Sequence, residues 1–310
     1  MQKILVTCPP MLGLKEQFIP VLAREGFEAV CPDVTQTLSE DELISLVPQC
    51  VGWIIGDDPA TRKVFEAGIA GELKAAVKWG IGVDNVDFDA CRELGIPITN
   101  TPGMFGNEVA DVALGYLLSL ARDLHVIDRG IRNGNWPKNR GMSLNGKTVG
   151  VIGYGDIGKN TVARCRAFGL ETIIYDPGVT EVEDKSRLEV WPANISDCDF
   201  LIFTCSLNAH NKHMLNADIL AQCKDGVRVI NVARGPLICE ADLEEALRNG
   251  KVHAAALDVF EQEPLPLKSY LREHPLCMLG SHNSSNTLEA VENTNIHAID
   301  KLLKFLCNKM

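Results

Sequence analysis

The sequence has no long hydrophobic run, no basic block, no C-x-x-C pair and no low-complexity linker, and each absence removes a class of protein. No stretch approaches the roughly 18 consecutive apolar residues that a membrane span needs, so a membrane partner is not expected. The start, "MQKILVTCPP", has one lysine and a short apolar run but no long apolar core and no small-residue cleavage site. It reads as a first strand and not as a signal peptide. The formal charge is −11, which argues against binding nucleic acid through its phosphates. The eleven cysteines are odd in number and scattered, with no paired metal spacing. They read as reduced thiols of a cytoplasmic protein with no metal site. Cys8, Cys205 and Cys277 lie in or beside apolar runs, where packing is a better explanation than redox chemistry.

What is present suffices for two domains. The chain has 310 residues, 46% hydrophobic and 23% charged, enough for two ordinary cores. Short apolar runs alternate with helical patterns almost throughout. Strands are expected at Ile4–Thr7, Glu28–Cys31, Val51–Ile55, Ala75–Trp79 and Pro97–Thr99. A second series follows from Thr148: "TVGVIG", "ETIIYD", "DFLIFTCS", "VRVINVA", "HAAALDVF" and "CMLGSH". Ser39-x-x-Glu42 reads as a capping box, and Gly26 and Gly95 sit where helices would end. The alternation predicts an α/β fold with two doubly wound units of parallel sheet. One long helix, 107–132, is expected to join them. A last helix, 287–306, has an apolar stripe of Leu288, Val291, Ile299, Leu302 and Leu306, with Asn286-x-x-Glu289 able to cap its start. If that helix returns to the first unit, the unit is discontinuous.

Only the second unit carries a glycine fingerprint. "GVIGYGDIG" contains Gly153-x-Gly155-x-x-Gly158 after an apolar strand and at a helix start, and the next strand ends in Tyr175-Asp176. A lone fingerprint is weak, but this context is the one a dinucleotide needs. Gly153, Tyr154, Gly155, Asp156, Ile157 and Gly158 are therefore candidate cofactor residues, with the helix N-terminus facing the phosphates. Asp176 can accept from both ribose hydroxyls and would repel an added phosphate, so NAD is favoured over NADP. A purely structural Asp-Pro turn is the competing reading of Asp176.

Three further residues follow the carboxyl ends of expected strands, the edge where open α/β sheets bind ligands. They are Arg234 in "VINVARGPL", Glu263 in "LDVFEQEPLP" and His282 after "CMLGS". Together they suit reduction of a 2-keto acid. Arg234 offers a planar fork to a carboxylate. His282 is an acid/base suited to neutral pH. Glu263, if within reach, would orient the imidazole and favour its charged form. Singly, each would serve equally well as a salt-bridge partner, a solvated loop acid or a loop histidine; their joint placement favours the functional reading.

The chain resembles the D-isomer-specific 2-hydroxyacid dehydrogenase family, nearer its D-3-phosphoglycerate dehydrogenase-like branch. "WGIGVDNVD", "ITNTPG", "NEVADVALGYLLSLAR", "GKTVGVIGYGDIGK", "INVARGPLICEADLEEAL", "AALDVFEQEP" and the histidine after the last strand occur in the family's order over almost the whole chain. The resemblance implies two Rossmann-like domains: a substrate-binding domain split between 1–100 and 284–310, and an NAD-binding domain at 101–283. It also implies a homodimer and a cleft that closes by hinge motion. Arg234, Glu263 and His282 match the family's catalytic residues. Asp258 matches an aspartate near the nicotinamide, and Val232 and Ala233 fall beside the cofactor. Lys78, Trp79, Gly80, Ile81 and Gly82 match a turn whose amides hold the substrate carboxylate. Many members have Thr-Pro before the histidine and a glycine pair after it, where this chain reads "GSHNSSNT". An appended regulatory domain, and control by serine through it, are not expected.

The implied reaction interconverts a small D-2-hydroxy acid, with D-3-phosphoglycerate as one candidate, and its 2-keto acid. Lys78, Arg62 and Lys63 are candidate phosphate partners, although solvated side chains are an equal reading and Asp57 and Asp58 lie close by. The alternative from another class is an NAD-sensing, corepressor-like regulatory protein on the same fold.

Overall fold

The computed structural model describes residues 1–182 and 185–307. The chain forms two compact units. One comprises Met1–Met104 and the chain from Asn286 onward; the other is Phe105–Ser285. Positions 308–310, part of the expected substrate domain, lie outside the described residues.

The first unit is built on five parallel strands: β1 (Gln2–Val6), β2 (Phe27–Val30), β3 (Gly52–Ile55), β4 (Ala75–Lys78) and β5 (Ile98–Asn100). Their order is β2-β1-β3-β4-β5. Leu5, Trp53, Ile55 and Phe65 are fully buried in its core. β3 and β4 are buried along their whole length, as strands covered on both faces should be. The Ser39 capping box is present: Ser39 Oγ accepts from Glu42 N at 3.3 Å and Ser39 N donates to Glu42 Oε2 at 2.8 Å.

The last helix, Leu288–Leu306, does dock on this sheet. A side chain at Gly52 of β3 would press against Leu302 and Leu306, so the small residue lets the helix lie close. The N-cap is Thr287, whose hydroxyl accepts from Ala290 N at 3.2 Å; the expected Asn286 cap is one residue early. Leu288, placed in the apolar stripe from sequence, is exposed, while Val291, Ile299 and Leu302 are buried.

The second unit holds seven parallel strands: β6 (Thr148–Ile152), β7 (Glu171–Tyr175), β8 (Arg187–Leu188), β9 (Phe200–Phe203), β10 (Val227–Asn231), β11 (Val252–Leu257) and β12 (Met278–Leu279). The order is β12-β11-β10-β9-β6-β7-β8. β6 lies between β7 and β9, so the winding reverses at β6. That switch point is where such sheets bind dinucleotides. The edge strand β8 is only two residues long, too short to leave a periodic signal.

The expected linking helix also departs from expectation. The single helix expected over 107–132 is two helices, Gly106–Arg122 and Leu124–Arg132, broken at Asp123. Asp123 has φ +54°, a left-handed conformation that Asp tolerates better than most residues and that no α-helix can pass through.

Candidate active site

The glycine fingerprint closes the turn from β6 into the Asp156–Ala167 helix. Gly153 has φ +99°, and a Cβ there would stand 2.6 Å from the backbone of Cys205. A Cβ on Gly158 would run into the Gly153 carbonyl. Both positions therefore demand glycine, for φ and for helix–strand approach. Gly155, the residue before the helix, has open space where a side chain would stand. A pyrophosphate can approach the backbone there and meet the amides of the first turn. These residues fit a dinucleotide.

Asp176, just after β7, accepts from Tyr154 N at 2.6 Å through Oδ2 and from Gly178 N at 2.8 Å through Oδ1. It thus pins the fingerprint turn to the end of β7. Each carboxylate oxygen keeps a further lone pair, so the same group can accept from ribose hydroxyls. Both readings of Asp176, turn anchor and ribose acceptor, fit one side chain. Next to this turn, burial pushes the Cys205 thiol up to about 12, which keeps it protonated and unreactive at neutral pH. Cys277 is likewise held at about 12 by burial.

Arg234 lies three residues beyond β10 and is half-buried. The loop that presents it is fixed by Asn231, whose Nδ2 donates to the Arg234 carbonyl at 2.8 Å and whose Oδ1 accepts from Ala233 N at 3.1 Å. Val232 and Ala233, between them, are buried.

His282 and Glu263 meet. Nδ1 of His282 is 2.7 Å from Glu263 Oε2, with each side chain about four-fifths buried (21% and 20% exposed). The other oxygen, Oε1, accepts from Phe260 N at 2.9 Å. The carboxylate is therefore fixed at both oxygens and accepts a hydrogen bond from Nδ1–H of the imidazole, which leaves Nε2 for any proton exchange with a substrate. His282 has φ +56°, a left-handed backbone that costs a non-glycine residue about 1–3 kcal/mol.

Asp258, which follows β11, supplies what holds that strained residue. It is 2% exposed. Its carbonyl accepts from His282 N at 2.7 Å. Oδ1 accepts from Asn283 N at 3.2 Å, and Oδ2 accepts from Ser284 N at 2.9 Å and Ser284 Oγ at 2.5 Å. Tyr116 OH also donates to Oδ1, at 3.3 Å. Burial, and then the Asp258 charge, push the Tyr116 phenol well above its ordinary range, so it stays a donor. Asp258 is thus the clamp of the His282 loop. Sequence reading missed its partners: Tyr116 sits inside a helical stripe, and Ser284 is one serine among several.

The first unit gives a mixed result for the expected substrate turn. Trp79 N donates to Ile55 O at 2.9 Å and Gly80 N to Thr101 Oγ1 at 2.7 Å, so these two amides hold the turn itself. Ile81 and Gly82 are the remaining amides of the stretch. Trp79 is 5% exposed and its Nε1 donates to Asn295 Oδ1 at 2.8 Å. Lys78, expected as an anion partner, is buried; its Nζ donates to Gly56 O at 2.6 Å and pairs with Asp57 Oδ1 at 3.0 Å. Arg62 pairs with Glu93 at 2.7 Å and Lys63 with Glu40 at 3.4 Å. Asp58 is fully buried and accepts from Leu38 N, Gly56 N and the Thr7 hydroxyl.

The second unit therefore carries a dinucleotide turn at the switch point, a guanidinium on the loop after β10 and a fixed histidine–carboxylate pair, the equipment of a pyridine-nucleotide oxidoreductase. Residues 114–284 match the NAD-binding domain of D-isomer specific 2-hydroxyacid dehydrogenases. The chain is 34% identical over 277 residues to a hydroxypyruvate reductase of Thermotoga maritima, covering 88% of this chain and 90% of that one. It is 36% identical over 265 residues to a D-3-phosphoglycerate dehydrogenase of Rattus norvegicus, covering 82% of this chain but 48% of that one. The chain thus spans about half the length of that second relative. Among solved structures, the TT0316 protein of Thermus thermophilus superposes with a TM-score of 0.87 at 28% identity, over 99% of this chain and 97% of that one. The chain belongs to the D-isomer specific 2-hydroxyacid dehydrogenase family, and its cofactor is NAD. Among the described residues no helix is long and apolar enough to cross a membrane.

Proposed function

We propose that the protein interconverts a small D-2-hydroxy acid and its 2-keto acid, with Arg234, Glu263 and His282 as the reacting set. The observation that carries this is the His282–Glu263 contact of 2.7 Å, made by a strained histidine clamped by Asp258. NAD supplies the hydride chemistry. Arg234 binds the substrate carboxylate with its planar fork. His282 gives a proton to the carbonyl oxygen in reduction and takes it back in oxidation, and Glu263 stabilises the charged ring between the two.

For the substrate, the ion pairs of Lys78, Arg62 and Lys63 weigh against these residues as phosphate partners, Lys78 most of all because it is buried. Together with the likeness to a hydroxypyruvate reductase over nearly its full length, this favours an unphosphorylated three-carbon 2-keto acid such as hydroxypyruvate. The likeness to D-3-phosphoglycerate dehydrogenase supports its phosphorylated counterpart as the second reading.

A panel of 2-keto acids with NADH, including hydroxypyruvate and 3-phosphohydroxypyruvate and followed at the nicotinamide absorbance, tests this. Turnover of hydroxypyruvate, lowered about 10²–10⁴-fold in His282→Ala with NADH binding retained, is the expected outcome. Negligible turnover of every keto acid alongside NAD-dependent binding of a partner protein would instead indicate a regulatory role. A homodimer is also proposed, because the Leu124–Arg132 helix buries none of its residues and leaves Leu124, Ile131 and the nearby Trp136 exposed. Light scattering reads its mass.

A further inference from the structure

Apart from Arg234, Glu263 and His282, three side chains of different chemistry converge in the second unit. His213, Cys239 and Glu261 each present one donor atom, and the three atoms lie within 4.8 Å of one another. They come from three separate connections. His213 lies between β9 and the Ala217–Gln222 helix, Cys239 precedes the Glu240–Arg248 helix, and Glu261 follows β11.

The arrangement is more than a chance ion pair. His213 Nε2 is 3.0 Å from Glu261 Oε1, yet that nitrogen is closed to solvent and makes no hydrogen bond. At this distance the failure is one of angle: the two atoms are close but not aimed at each other. The contact therefore leaves at the His213 nitrogen no hydrogen bond that a cation would have to displace. The frame is also fixed in advance. His213 is held at φ +53°, with its amide donating to Pro236 O at 2.7 Å. Glu261 is tied to the start of the helix, where its Oε1 accepts from Glu240 N at 2.9 Å and its amide donates to the Glu240 carboxylate.

We propose that His213, Cys239 and Glu261 bind a borderline-soft divalent cation of the zinc class, with solvent in the fourth position. An imidazole nitrogen, a thiolate and a carboxylate oxygen are the donor types such ions take. Ligand bonds of about 2.0–2.3 Å set tetrahedral donors roughly 3–4 Å apart, so only a small contraction is required. Burial holds the Cys239 thiol above its ordinary range, so metal binding has to release its proton. As the metal–sulfur bond forms, the thiol proton leaves to solvent. More than twenty residues separate each ligand from the next, so no motif spacing announces the site. Cys239 lies five residues after Arg234 and Glu261 two before Glu263. The ion would therefore tie together the connections that carry those residues. It takes no part in the hydride chemistry.

Chelator-treated protein titrated with Co²⁺ provides the test. The expected result is one equivalent bound, with a near-ultraviolet sulfur-to-cobalt band, intense visible bands of four-coordinate cobalt, displacement by Zn²⁺ and a raised Tm. Cys239→Ser should abolish the sulfur band and weaken Zn²⁺ binding by more than the about 100-fold that outer-shell changes cost. Cys307→Ser, at the exposed thiol, should leave both intact. NADH binding and a cooperative melt confirm that each variant is folded. Should Cys239→Ser not fold, His213→Gln must lower affinity and visible intensity in its place. Absence of stoichiometric binding, or a sulfur band that survives Cys239→Ser, overturns the proposal.

Discussion

Glu263→Gln separates charge from shape at the histidine pair. In the native protein both carboxylate oxygens are in use: Oε2 lies 2.7 Å from His282 Nδ1 and Oε1 accepts from Phe260 N at 2.9 Å. Glutamine has the same size but only one acceptor oxygen. If that oxygen faces the imidazole, the amide NH₂ confronts the Phe260 N–H, donor against donor, at a cost of about 1–3 kcal/mol for the unsatisfied group. If it faces Phe260, its NH₂ forces the other imidazole tautomer. In either case the charge that stabilises the imidazolium is gone. Two unit charges about 4 Å apart interact by about 4 kcal/mol at an effective dielectric of 20. Both side chains are about one-fifth exposed, so screening reduces this, and the usual effect of one neighbouring charge is about 1–3 pH units. We expect a shift of about 1–2 units. The sign follows from the chemistry. Reduction needs the charged ring and falls as pH rises through its titration. Without Glu263 the ring loses its proton at lower pH, so the falling limb moves to lower pH, and the rising limb of oxidation moves with it. The plateau rate should also drop by about 10²-fold through the lost orientation. The assay is kcat against pH at saturating keto acid, with NADH affinity measured separately by fluorescence. A limb that stays in place refutes the argument that Glu263 acts through the charge of His282.

Asp176→Ala should raise the ratio of NADPH to NADH kcat/KM by at least about tenfold, the equivalent of one lost repulsion of about 1.4 kcal/mol, and should weaken NADH binding because Tyr154 N and Gly178 N lose their acceptor; an unchanged ratio removes Asp176 from the ribose site. Arg234→Lys should raise KM for the keto acid and lower kcat while NADH affinity stays within about twofold, since lysine keeps the charge but not the fork. Steady-state kinetics beside NADH titration read the difference, and unaltered kinetics would remove Arg234. Lys78→Gln should lower stability by about 2–3 kcal/mol, less than the loss for a fully buried pair because Asp57 is 34% exposed. It should leave the preference between hydroxypyruvate and its phosphate unchanged. A selective loss of the phosphorylated substrate would restore Lys78 as its partner.

Local chemistry made much of this protein legible from sequence. Buried parallel strands are largely apolar runs, so β3 and β9 stand out, and the Ser39 box marks a helix start by its own side chain. The fingerprint is legible because backbone geometry at Gly153 and Gly158 admits no side chain. Arg234, Glu263 and His282 are legible because each follows a strand end, and parallel strands place their ends on one edge. Tertiary structure decided the rest. Asp123 breaks a helix whose apolar pattern runs on through it, because periodicity records burial and not a single residue's φ. Lys78 reads as a substrate cation until the fold buries it on Asp57. The hydrogen bonds of Asp258 to the His282 loop appear only in the fold, since they join residues more than twenty positions apart. The convergence of His213, Cys239 and Glu261 is invisible in sequence, since contacts between residues far apart in the chain exist only once β9, β10 and β11 lie side by side and bring their following loops to one edge.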